Sequence, residues 1–175
     1  MRALPEGIEV RRASADDAPR VYEFVLEGID SYRDWAPHWR PVPPAPETRA
    51  RLGRLYEDDE AAWILIAEEG DEIVGLVSLS MTTGADARVP PEGTVYLWQM
   101  FVRRDRQGSG LAVALMDRVL EEARRRGFDR IVLWTPAGAA QARRFYEREG
   151  FELTGEEDPD SSFGLPLVQY ARSTA

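Results

Sequence analysis

The apolar positions of this chain fall into two rhythms: alternation or short continuous runs that mark strands, and recurrence every three to four residues that marks helices. Ile8-Glu9-Val10-Arg11-Arg12 alternates and predicts a first strand. Val21, Phe24, Val25 and Ile29 form a helical stripe. Ahead of it Ser14, with Asp17 three residues on, has the form of a helix cap. Pro19 would cost that helix one backbone bond, which moves the expected cap to Asp16. Residues 31–46 carry Trp35, Pro37, His38, Trp39, Pro41, Pro43, Pro44 and Pro46. Such proline density forbids regular helix and predicts a stiff loop bearing aromatic side chains. Glu47 to Tyr56 predicts a second helix, with Leu52 and Leu55 inward.

Ala62–Ala67 and Ile73–Ser80 predict a hairpin around Glu69-Gly70-Asp71-Glu72. A loop over 84–93, punctuated by Pro90 and Pro91, leads to a strand at Val95–Val102. From Leu111, apolar residues recur at 115, 116, 119, 120 and 123, predicting a helix stopped by Gly127. Ile131-Val132-Leu133-Trp134 is wholly apolar and predicts a central strand buried on both faces. A helix over Ala139–Arg148, a strand over Phe151–Thr154, an acidic loop from Glu156 to Ser162 and a last strand over Leu165–Ala171 complete the chain. No linker or repeat interrupts it, so one domain over residues 1–175 is expected. The order β-α-α-β-β-β-α-β-α-β-β predicts a mixed α/β (α+β) fold of about seven strands and about four helices.

Composition narrows the chemistry. With 175 residues, 43% hydrophobic and 30% charged, the chain has the make-up of a globular protein with a real core. A net charge of −9 argues against partners that need a basic surface, so neither nucleic acid nor membrane is expected. The absence of cysteine excludes disulfides, a thiol nucleophile and thiolate metal sites. A single histidine, His38, excludes multi-histidine metal sites, and no metal is expected. Residues 1–10 hold no apolar leader pattern, and no apolar run approaches the roughly 20 residues of a membrane span, so a cytoplasmic location is expected. All 22 basic residues are arginine, which reads as a coding bias of the source.

The stretch richest in chemistry is the turn between the strand at Val95–Val102 and the helix from Leu111. It reads Gln107-Gly108-Ser109-Gly110-Leu111-Ala112. Backbone N–H groups at a helix start have no intrahelical partner, and the helix dipole adds positive charge, so such a loop is an anion site. A Walker loop is excluded because it requires lysine. The dinucleotide fingerprint Gly-x-Gly-x-x-Gly finds Gly108 and Gly110 but meets Val113 at its third glycine, and it belongs in a first βα unit. The loop instead resembles the acyl-CoA loop, Gln/Arg-x-x-Gly-x-Gly/Ala, of the GNAT superfamily of N-acetyltransferases. A second stretch, Ala142-Arg143-Arg144-Phe145-Tyr146-Glu147-Arg148-Glu149-Gly150-Phe151, resembles the family's later Tyr-Glu-x-x-Gly-Phe segment. The resemblance covers Glu72 to Thr154 well.

That resemblance implies a mostly antiparallel sheet with a splay between its two central strands. It implies acetyl-CoA as co-substrate, held by Phe101, Val102, Gln107, Gly108, Ser109, Gly110, Leu111 and Ala112. A bulge near Phe101 would offer a backbone N–H to the thioester carbonyl. The implied reaction is direct attack of an amine in a ternary complex, with Tyr146 as general acid to the CoA thiolate. Two positions depart from the family pattern. Ala139 stands where many members have asparagine, and Tyr96 where many have a glutamate base. The base is therefore unassigned: Tyr96 and Glu92 are candidates, with Asp34 and His38 by residue type only. For the acceptor, Trp35 and Trp39 could form an aromatic wall, with Glu156, Glu157 and Asp158 selecting a cationic amine. A homodimer is one possible assembly. The competing reading is a non-catalytic acyl-CoA sensor or interaction module on the same scaffold. A toxin acetylating charged tRNA is disfavoured by the net charge.

Overall fold

The computed structural model describes residues 1–40, 62–81 and 89–175. The helix predicted over Glu47–Tyr56 and part of the loop at 84–93 lie outside them. The strands are β1 (Ile8–Arg12), β2 (Ala62–Glu69), β3 (Glu72–Ser80), β4 (Thr94–Val102), β5 (Arg130–Pro136), β6 (Glu152–Asp158) and β7 (Leu167–Ser173). The helices are α1 (Ala18–Asp30), α2 (Leu111–Arg125) and α3 (Ala140–Arg148). Short 3₁₀ turns cover Ala15–Asp17, Ser31–Asp34 and Arg104–Arg106.

The strands form one sheet in the order β1-β2-β3-β4-β5-β7-β6. Every pairing is antiparallel except β4 with β5. One face is covered by α2, whose Leu111, Leu115, Met116 and Val119 pack with Val77, Val95, Ile131 and Leu133. The other face carries α1, with Val21, Phe24 and Val25 against Ile64, Ile66 and Leu76. Each such buried aliphatic or aromatic side chain stabilises the fold by roughly 1.5–3 kcal/mol. The stripes read from the sequence are the ones buried, because periodicity reports which side of an element faces the core.

Three local expectations change. Ser14 does open a capping box with Asp17, but it caps the 3₁₀ turn at Ala15–Asp17. The N-cap of α1 is Asp17, not Asp16, and Pro19 falls in the first turn of the helix, where a missing N–H breaks no bond. The acidic stretch Glu156–Asp158 belongs to β6 rather than to a loop, with Glu157 opposite Val168. An edge strand exposed to water accepts charges that a central strand would not.

The third change concerns β4. Ser78 pairs with Gln99 and Leu79 with Leu97, so Trp98 is an extra residue, a bulge. It lies three positions before the expected place near Phe101. The bulge reverses side-chain parity: Val95 and Leu97 face the α2 side before it, Met100 and Val102 after it, and Phe101 turns to the α1 side. Beyond the bulge the sheet opens. β4 and β5 are paired only at Thr94–Arg130, Val95–Ile131 and Tyr96–Val132. Thereafter β4 stays with β3 as far as Val102, while β5 stays with β7 as far as Pro136.

Candidate active site

The loop closing β4 is shaped by backbone conformation. Gly108 and Gly110 have φ of 77° and 93°, the left-handed region that side-chain-bearing residues avoid. A Cβ built at either position meets nothing within 4 Å, so the loop presents its backbone to open space. The Ser109 hydroxyl donates to Arg106 O (2.7 Å) and accepts from the Leu111 amide (3.3 Å), pinning the turn into α2. The Gln107 carboxamide donates to Val102 O (3.4 Å) and accepts from Gln141 (3.2 Å), tying the loop to α3. Arg103 is occupied by Glu72 (2.6 Å) and Asp105 (2.7 Å), and Arg106 by Glu69. Arg104 pairs with Asp34, and the Gln107 and Ser109 amides donate to Arg104 O and Arg106 O, so the remaining amides, those of Gly108, Gly110 and Ala112, and the α2 dipole are what these described residues have left to offer an anion.

A cleft of about 1080 Å³ runs from this loop through the splay to α1. Of the residues implied for the co-substrate, Phe101, Val102, Gln107, Gly108, Gly110 and Ala112 line it. Leu111 instead points into the core and is fully buried, so only its backbone can take part. Phe101 packs on α1, and a Cβ at Gly28 would come within 2.4 Å of its ring. Only glycine lets α1 approach β4 this closely.

Tyr146 enters the cleft from the α3 wall. Its ring is held between Phe145 (5.6 Å between centroids) and Phe151 (5.8 Å). Below it, the Tyr170 hydroxyl donates to Glu147 (2.7 Å) and accepts from Arg143 Nε (3.0 Å), while Arg143 also donates to Ala137 O (2.9 Å). This network anchors α3 on β7 and fixes the tyrosine's position. Burial pushes the Tyr146 phenol up from its ordinary pKa, and the nearby Tyr32 adds to the shift. Such a phenol is fully protonated at neutral pH and can donate. Ala139, buried at the N-cap of α3, lines the cleft without a polar group.

The candidate bases do not meet at the centre. Tyr96 is buried with Val132 and Ala171, outside the cleft wall. Glu92 is exposed before β4, at the closed end of the splay, and His38 is exposed away from the cleft. Asp34 does line the cleft, where it pairs with Arg104.

The aromatic residues divide. Trp35 lines the cleft and lies against Gly138, where a Cβ would sit 2.8 Å from its ring. Trp39 is buried outside the cleft wall, and its indole N–H donates to Phe163 O (3.0 Å). Glu156, Glu157 and Asp158, on the edge strand, are also absent from the wall. Among the described residues, the carboxylates that line the cleft are Glu27, Asp30 and Asp34, all from α1 and the turn after it. Sequence reasoning missed Glu27, Gln99 and Tyr32. Gln99 needed the bulge to be known. Tyr32 and Glu27 carried one usable signal, their position just ahead of the Trp-Pro loop.

The sequence profile described as the acetyltransferase (GNAT) family matches residues 29–151. Mycothiol acetyltransferase of Beutenbergia cavernae is 35% identical over 120 residues, covering 69% of this chain and 37% of that protein. N-acetyltransferase 8B of Rattus norvegicus is 29% identical over 126 residues, covering 70% of this chain and 54% of that protein. The chain thus spans about a third to a half of the length of these relatives. Among solved structures, a GNAT-family acetyltransferase from Staphylococcus aureus superposes with a TM-score of 0.74 at 17% identity, covering 96% of this chain and 99% of the other. The ribosomal-protein-S18-alanine N-acetyltransferase of Escherichia coli gives 0.68 at 17% identity, covering 96% and 94%. With the splayed sheet, the glycine loop and a profile match across both motif stretches, the chain belongs to the GNAT family of acetyltransferases.

Proposed function

We propose that the protein is an acetyl-CoA-dependent N-acetyltransferase that acetylates a primary amine, either a small molecule or a peptide or protein N-terminus, within a ternary complex. The observation that carries this reading is one continuous cleft lined by the glycine loop, Tyr146 and α1. The glycine cradle suits a pyrophosphate, since no side chain projects from Gly108 or Gly110 into the space a diphosphate needs.

Acetyl-CoA supplies an activated acyl carbon and a sulfur leaving group; the protein's residues supply position and protons. The backbone from Gln107 to Ala112 binds the anionic end. β4, freed from β5 beyond Tyr96, offers main-chain N–H groups to the acyl oxygen, where charge develops during attack. Tyr146 gives its proton to the departing sulfur. Among the described residues the cleft carboxylates Glu27, Asp30 and Asp34 come from α1 and its turn and none perturbs Tyr146, so this reading sends the amine's proton to water in the cleft. The chain has no cysteine for a thiol acyl-enzyme, which favours direct attack. Names of relatives that include mycothiol acetyltransferase and several N-acetyltransferases support the amine as acceptor. The test is release of free thiol from acetyl-CoA across an amine panel, with the acetylated amine identified by mass. Binding of CoA without amine-dependent release would instead support a non-catalytic sensor.

A further inference from the structure

Tyr32, in the turn that follows α1, lines the same cleft that Tyr146 lines from α3. Its ring is locked from three sides, by Trp35 at 5.5 Å, Trp39 at 5.8 Å and Phe163 at 5.9 Å between centroids. These contacts join the turn after α1 to the loop between β6 and β7, and Trp39 bonds that loop directly. So much packing fixes where the phenol oxygen points. Yet that hydroxyl has no hydrogen-bond partner among the described residues, and it is not among the buried polar atoms sealed from solvent. A rigidly held hydroxyl left open to a cleft is a group reserved for something that enters the cleft.

We propose that Tyr32 orients the acceptor: its phenol oxygen accepts a hydrogen bond from the attacking amine and holds the nitrogen lone pair toward the acyl carbon. This rests on the transferase reading above. Tyr32 is a positioning group and not the base. Burial pushes its pKa up to about 12, so it keeps its own proton at neutral pH and the amine's proton goes to water. The two tyrosines thus divide the work, one on the nucleophile and one on the leaving group. Their closeness is registered electrostatically, since charge on Tyr32 raises Tyr146 further.

Tyr32→Phe retains the ring and its three aromatic contacts and removes only the hydroxyl. With an amine turned over by the wild type, the variant is expected to show about a tenfold fall in kcat/KM for the amine, the size of one hydrogen bond to substrate. The KM for acetyl-CoA and the melting temperature are expected to stay at wild-type values. Tyr146→Phe, assayed beside it, is expected to lower kcat and leave the amine KM in place. An unchanged amine kcat/KM in Tyr32→Phe, in a preparation whose wild type is active, overturns the role of Tyr32 and leaves the transferase reading standing. A matching loss in acetyl-CoA KM or in melting temperature overturns it too, because the residue would then be structural. A wild type that binds CoA but releases no thiol with any amine overturns the transferase reading, and this role with it.

Discussion

A phenol moved out of water keeps its proton to higher pH, because the phenolate loses hydration that nothing nearby replaces. Tyr146 is such a phenol, so its loss as a donor lies above the ordinary tyrosine value of about 10. Activity on the alkaline side should therefore not fall through this residue below about pH 10. Replacing Tyr146 by phenylalanine should lower kcat by about 100-fold, the usual scale of a lost acid, with CoA affinity unchanged in equilibrium binding. Asp17 shows the opposite shift. Arg11 donates to its carboxylate (2.7 and 2.8 Å), as do the Ser14 amide and hydroxyl, and these hold it well below the usual carboxylate range. A depressed folded-state pKa stabilises the protein fully above the unfolded value near 3.9, and the contribution is lost as pH falls through the folded one. Asp17→Asn should thus cost about 2 kcal/mol at pH 7 by denaturant unfolding. Its deficit should shrink progressively below about pH 4. Tyr146 was legible in the sequence because a short motif surrounds it. Tyr32 was not, because its place in the cleft with Tyr146 depends on a turn meeting a loop more than 120 residues later, through Trp39 and Phe163.

Elements whose apolar residues kept one period were read to within a few residues, as with α2 and β5. β4 was harder, because its apolar run through Leu97 and Trp98 hides the point where alternation changes phase. β6 was cut short for a different reason: charged residues are depleted in strands generally, yet this strand is at an edge and carries Glu156, Glu157 and Asp158 with Gly155 at φ 87° within a register shift. The backbone turn of the glycine loop was legible from Gly108 and Gly110, and its geometry makes a graded prediction for the proposed anion site. Gly110→Ala adds only strain at φ 93°, where open space surrounds the new Cβ, and should cost about 1 kcal/mol of stability while CoA still binds. Gly110→Glu adds bulk and negative charge to the cradle and should abolish CoA binding by calorimetry. Equal loss in both variants would mean that backbone strain, not occupancy of the cradle, is what the loop cannot tolerate.

At the scale of the molecule, one sheet carries a core on each face and splays between β4 and β5. The α1 core draws on β2, β3 and Phe101 of β4; the α2 core, on the opposite face, draws on β1 to β5 and β7. The bulge at Trp98 and the short β4–β5 ladder open the space between those two strands, and every group assigned to the reaction reaches that space from a different element. This is why the fold class could be read from periodicity while the acceptor end could not. A cleft wall assembled from α1, its following turn, β4, β5 and α3 has no single stretch to announce it. The proposed activity of this cleft is transfer of an acetyl group to an amine. Its most direct test is free-thiol release from acetyl-CoA by the wild-type protein against a broad amine library, with product masses measured in parallel. An acetyltransferase gives amine-dependent thiol release matched one to one by a product heavier by one acetyl group. Saturable CoA binding with no amine-dependent thiol release across the library would contradict it.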